Sequence, residues 1–189
     1  NGGLHLKVNI ILQWSNSVQY LGIIFSAGLK MTIDFKSSRS KFFRSFNSIF
    51  SKISKANELI IVSFLKSNCI PCLMYGLEAL TLNKSALLRL DNPLLLAFGK
   101  VFKTYDKNVL HSCMFYLDTL PLSSEYLVRK VKFLNNLNKS NNTMLSNLFI
   151  LFGCHELDSM FRDVEMISSR NVFAFKDRIW ERFQSSLTL

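Results

Sequence analysis

Cys69-Ile-Pro-Cys72 has the Cys-x-x-Cys spacing that serves a dithiol redox centre or one half of a zinc site. A redox pair of this kind belongs at the start of a helix that follows a strand. Here the apolar run over residues 59–65 precedes it and predicts helix instead. Zinc needs a second close pair. Cys113 and His111 lie far from the first pair in sequence, and Cys154 and His155 are adjacent, so both rarely reach one tetrahedral ion. We read Cys69 and Cys72 as core residues and assign no metal ligand. His5, His111 and His155 stand apart from any serine and carboxylate pattern that would make a triad. The seven glycines form no phosphate loop. The aspartates (Asp34, Asp91, Asp106, Asp118, Asp158, Asp163 and Asp177) are scattered singly, whereas two-metal phosphoryl transfer needs converging carboxylates. No catalytic residue is assigned.

Charge says more than chemistry. The net charge is +10 over 189 residues, unevenly spread. Residues 1–66 hold nine Lys/Arg against two acids, while residues 155–182 hold five against six. One surface, rather than the whole molecule, is therefore expected to meet a polyanion, with nucleic acid ahead of an anionic membrane surface. Seventeen phenylalanines and 49% apolar residues predict a folded, core-rich chain. Four cysteines without a secretory signal predict a reducing, intracellular compartment, nuclear or cytoplasmic. Residues 8–29 carry no charge, but Gln13, Ser15, Asn16, Ser17 and Gln19 sit at their middle, which rejects a membrane span. The chain begins at Asn1 rather than methionine, so we expect a fragment of something longer.

The elements that must position these residues read as mainly α: an N-terminal β-hairpin, then a multi-helix bundle. Alternation over residues 6–12 predicts one strand and residues 18–25 a second, with turn residues at 14–17 between them. Residues 36–55 predict an amphipathic helix. At 100° per residue, Phe42, Phe46, Ile49 and Ile53 share one face, and Lys41, Arg44, Lys52 and Lys55 fall in a narrow sector opposite. No acid interrupts that helix from Lys36 to Lys55, so its polar face is a basic stripe facing phosphates rather than an ordinary solvated face. Lys36, Arg39, Lys41, Arg44, Lys52 and Lys55 are the candidate nucleic-acid-binding residues.

Residues 59–80 predict two half-helices around Pro71, with a kink or break near Cys69. Gly76 costs such a helix about 1 kcal/mol relative to alanine unless packing demands it. Further helices are expected from residue 85 to 102, with a restart at Asn92-Pro93, then over 109–116 and 124–137, with Ser123 or Ser124 as the N-cap. The asparagine-rich stretch 135–142 predicts a linker, and residues 144–152, 156–167 and 173–183 three more helices.

The order of these pieces resembles one family. Val18-Gln-Tyr-Leu-Gly22, then Ile33 and Arg39, then Phe43, Phe46 and Ile49, then Pro71-Cys-Leu-Met-Tyr-Gly-Leu-Glu78, then residues 87–91, is similar to the region after the palm in reverse transcriptases of non-LTR (LINE-type) retrotransposons. The resemblance covers residues 4–105. It implies a fragment of an RNA-directed DNA polymerase whose catalytic aspartates, with the Mg2+ they hold, lie upstream of this chain. It further implies that Tyr20, Leu21 and Gly22 sit near the primer-end grip, and that the following helices form a thumb holding the RNA/DNA template-primer duplex by its backbone. The fingers and palm would be the partners. Pro71, Tyr75, Gly76 and Glu78 would be structural, setting helix packing, with Glu78 paired to a cation or capping a backbone end. The division that follows is residues 1–30 as the primer-grip-like hairpin, 31–138 as the thumb-like domain and 139–189 as a C-terminal helical extension. The alternative is a stand-alone, retrotransposon-derived helical module that binds protein or nucleic acid.

Overall fold

The structure, a computed structural model, describes residues 16–20, 23–27, 32–166 and 171–187. It is mainly helical, with an N-terminal hairpin followed by a helix bundle, in two compact units, Asn1–Ser37 and Ser38–Leu189.

In the first unit, β1 (Ser17–Tyr20), β2 (Ile23–Ser26) and β3 (Thr32–Asp34) form an antiparallel sheet in that order. Ser17 lies opposite Ser26 and Tyr20 opposite Ile23. The run expected as one strand over residues 18–25 is thus two paired strands. Only Leu21 and Gly22 lie between them in sequence. Alternation alone does not mark a turn inside an apolar run, which is why one strand was expected. Leu21, Gly22 and the expected strand over residues 6–12 lie outside the described residues.

The helices are α1 (Lys36–Ile53), α2 (Glu58–Phe64), α3 (Ile70–Met74), α4 (Lys84–Phe102), α5 (Lys107–Tyr116), α6 (Leu122–Asn138), α7 (Thr143–Leu148), α8 (Cys154–Asp163) and α9 (Val172–Leu187). Amide and carboxylate side chains set most of the starts. Asn57, Asn83, Asp106, Asn142 and Asn171 each accept a hydrogen bond from a first-turn N–H. The asparagines around residue 142 therefore begin a helix. The expected division at 138/139 falls inside the second unit, because α6 packs against α7, α8 and α9.

Helix α6 departs from the expected pattern. Its N-cap is Pro121, not Ser123 or Ser124, and the Ser123 N–H instead donates to Asp91 Oδ1 of α4 at 2.8 Å. A carboxylate from another helix thus does the work of a cap. Burial pushes the Asp91 carboxyl above its ordinary value, against the opposing pull of the Ser123 hydrogen bonds. Because the folded pKa is raised, the proton-linked stability is present below the unfolded pKa and lost as pH rises through the folded one. Asp91→Asn keeps an acceptor without the charge. Its unfolding free energy at pH 7 should equal or exceed wild type, and it should lose the gain that wild type shows on acidification. Asp91→Ala should cost about 1–2 kcal/mol in the same urea titrations.

The core runs through Phe42, Leu65, Leu73, Leu94, Phe98, Val131 and Phe175, all essentially inaccessible. Helix α4 continues through Pro93, which is buried, rather than restarting there. The proline removes one backbone donor, and packing of α4 on α5 and α6 holds the helix continuous around it.

The helical run Glu58–Ala79 is long and apolar enough to cross a membrane by length and composition. Several of its apolar side chains (Ile61, Val62, Leu65, Leu73, Met74 and Leu77) are instead buried in the bundle core. It is also broken by a π turn and by a left-handed residue.

Candidate nucleic-acid interface

On α1 the two faces separate as hydrophobic spacing dictates. Phe42 and Phe46 are buried, Ile49, Ile53, Phe43 and Phe50 half-buried, and Lys41, Arg44, Lys52 and Lys55 exposed. Among the described residues, none of Arg39, Lys41, Arg44, Lys52 and Lys55 forms an ion pair with a carboxylate. The six sequence candidates do not all converge. Lys41, Arg44 and Lys52 line one side of the helix over about 16 Å, at 1.5 Å of rise per residue. Arg39 is exposed but lies about 160° around the axis from Lys41, at 100° per residue. Lys36 starts the helix within the first unit, and Lys55 lies in the turn beyond Ile53. The stripe therefore rests on three residues of the helix, with Lys55 beyond its end.

Neighbouring elements hold α1 through its other faces. Lys100 of α4 lies 4.8 Å from the Phe50 ring centroid and donates to Asn47 Oδ1 at 3.1 Å. The Cys69 thiol lies 3.5 Å from the Ser45 hydroxyl. Cys69 is fully buried, and burial pushes its thiol pKa up, away from reactivity. Cys72 bonds the Asn68 carbonyl. The cation Lys66 is not available to a ligand: its ammonium donates to the carbonyls of Leu117 and Asp118 at the end of α5.

The block that follows resolves into three unlike parts. The break expected near Cys69 is a π turn, Leu65–Cys69, in which the Ile70 N–H reaches back five residues to the Leu65 carbonyl. Widening the helix just before Pro71 relieves the clash of its ring with the preceding turn, so α2 continues into α3. Gly76 has φ 69°, in the left-handed region, and turns the chain from α3 into the single 3-10 turn Leu77–Ala79. Gly76→Ala should cost about 1–2 kcal/mol in denaturant unfolding, since no L-residue adopts that φ without strain. Tyr75 departs from the packing role expected of it: it is 62% exposed. Glu78 lacks the expected partner on Oε2, which is buried and accepts no hydrogen bond.

Sequence reasoning missed the residues that fix this block. Lys130 of α6 is only 2% exposed. Its ammonium donates to the Leu80 carbonyl and pairs with Glu156 Oε2 of α8, both at 3.2 Å. The Tyr126 hydroxyl donates to the same carbonyl at 2.7 Å and accepts from the Leu82 N–H. Thr81 closes the cluster by donating to Glu156 Oε1 at 2.9 Å. Burial raises the Tyr126 pKa to about 12. The available signal was positional. Tyr126 and Lys130 are four apart on α6, so both fall on the face that carries Leu134 into the core.

Among the described residues no three His, Cys, Asp or Glu side chains come together as a metal site. Of the residues expected at a primer-end grip, Tyr20 ends β1, and Leu21 and Gly22 lie outside the described residues. Comparison with known protein families, curated proteins and solved structures finds no match for this chain.

Proposed function

We propose that this chain is the thumb and C-terminal part of a LINE-type reverse transcriptase, gripping the RNA/DNA template-primer duplex without catalytic aspartates of its own. The observation that carries the reading is the row Lys41, Arg44 and Lys52, exposed and without an ion-pair partner among the described residues, on a helix whose other face is anchored in the core. A polymerase must hold every sequence alike. Phosphate contacts give affinity without reading bases, and a heteroduplex is held through shape and backbone. Fingers and palm, with their Mg2+, would be supplied by the rest of the parent protein, inside the cell in nucleus or cytoplasm. The test is binding of the chain to an RNA–DNA duplex as salt is raised. Affinity should fall steeply with salt and show no preference among sequences; affinity that is flat with salt would sink the reading.

A second reading, a stand-alone helical interaction module, has one observation in its favour. Ile150, Leu151 and Phe152, beyond α7, are 69%, 71% and 72% exposed in succession. The Phe-rich face of α1 does not serve this reading, because Phe42 and Phe46 are buried in the chain's own core. An apolar partner would bind with little dependence on salt.

A further inference from the structure

Helix α7 and the π turn Phe149–Gly153 that continues it leave a row of apolar side chains uncovered. At 100° per residue, Met144, Leu148, Leu151 and Phe152 fall within about 100° of one another, with Leu145 and Ile150 flanking them. All six are exposed, Met144 to 76%. The other side of the segment is fixed. Phe149 and Gly153 are buried where the turn packs on α6, and Asn142 caps the start of α7. The row therefore stands on an ordered backbone, which lowers the entropy lost when a partner binds. Between them the six residues expose about 700 Å2, more than the largest apolar patch of an ordinary monomer and close to the share each partner brings to a standard interface.

The sequence around the row constrains what covers it. No Lys or Arg stands between Lys139 and Arg162, and the charged residues in that stretch, Glu156 and Asp158, are acids. A helix that lies in a lipid surface carries cations beside its apolar face to meet anionic headgroups, and this segment has none. Residues 140–155 hold no Asp, Glu, Lys or Arg at all. For a chain of net charge +10, such a stretch lets two copies approach without like charges meeting. The row also matches itself. With two copies antiparallel about a two-fold axis at Leu148, Met144 faces Phe152 of the other copy and Leu145 faces Leu151, because each pair is evenly spaced about residue 148. Thioether then meets ring, and leucine meets leucine. We propose that this face of α7 and its π turn pairs with the same face of a second copy, making a two-fold dimer centred on Leu148.

The dimer uses no residue of α1 and holds for a thumb or a stand-alone module alike, so it does not rest on the duplex reading. Sedimentation equilibrium of the full chain, without nucleic acid, should show a dimer at about 10 μM. Apolar burial drives the pairing and net charge opposes it, so raising salt from about 50 to about 500 mM should tighten it. Leu148→Asp sets two carboxylates together at the axis and should weaken the dimer at least about a hundredfold. Its helical circular dichroism should match wild type, since Leu148 is 44% exposed. Phe152→Ser, at a more exposed position, should weaken the dimer at least about tenfold. Mixing Leu148→Asp with Leu148→Lys should restore pairing that neither variant shows alone, because the axis brings residue 148 against itself. Leu59→Asp, at another exposed leucine on α2, should leave the dimer unchanged. A wild-type chain that is monomeric at about 100 μM overturns the proposal. So does a dimer that dissociates as salt rises, that survives both Leu148→Asp and Phe152→Ser, or that Leu59→Asp weakens as much. A mixture of the Asp and Lys variants no tighter than either alone also overturns it. A monomer that instead floats with phosphatidylcholine vesicles assigns the row to a lipid surface, and the dimer fails.

Discussion

Lys130→Ala should lower the unfolding free energy by about 3–5 kcal/mol, read from urea titrations followed by circular dichroism. Three losses combine. The Leu80 carbonyl loses one of its two donors, Glu156 keeps only Thr81, and the space of a four-carbon stem opens in the core. For a chain of this size the matching fall in Tm is about 10 °C. Lys130→Met, which fills the stem's space without the ammonium, should recover about half of the loss, because Glu156 is partly exposed and water can reach it. Equal stabilities for Lys130→Ala and wild type would show that the cluster contributes nothing. Above the ordinary tyrosine range the same cluster should weaken. Tyr126 is raised to about 12, so stability is lost as pH climbs from about 10 toward that value, and Tyr126→Phe removes this alkaline step.

Reversing charge on the stripe, with Arg44→Glu and Lys52→Glu together, should weaken RNA–DNA duplex binding at least about a hundredfold near 0.1 M salt. Three phosphate contacts give a slope of about −2.7 in log affinity against log salt, or about a forty-fold loss between 50 and 200 mM. The double variant should flatten that slope by about two contacts. Both side chains are exposed, so the fold should be unaffected, and an unchanged Tm checks this. Lys107→Glu, on α5 away from the stripe, is the matched control and should change affinity by about twofold at most. Were it to match the double variant, net charge rather than the α1 row would be holding the duplex.

Patterns one helix or strand long were legible in the sequence. The Phe42–Phe46 face, the opposing cations of α1 and the helical course of α4, α5 and α6 follow from periodicity alone. What failed to show is whatever depends on contact between distant segments. Asp91 capping α6 spans 32 residues, and Lys130 with Leu80 spans 50. Neither leaves a local pattern. Asparagine misled in another way: a cluster of them looks like a linker by composition, yet Asn142 starts α7 by accepting from Met144 and Leu145. Arg39 was grouped with the stripe by charge and nearness in sequence, although its angle on the helix places it elsewhere.

The π turn at Phe149–Gly153 carries a consequence for how the chain is assembled. It enters against α6 so closely that a Cβ on Gly153 would stand 2.7 Å from the Phe149 ring and 3.3 Å from Leu134. The next residues form α8 and bring Glu156 to Lys130. The ammonium set in α6 thus waits, in chain order, for a counter-charge 26 positions further on. Contacts of such separation close late, after the loop between them has been paid for in entropy. A chain halted before residue 156 would hold its lysine with carbonyl and hydroxyl neighbours alone. The Lys130 cluster is therefore complete only when the segment behind it has been made.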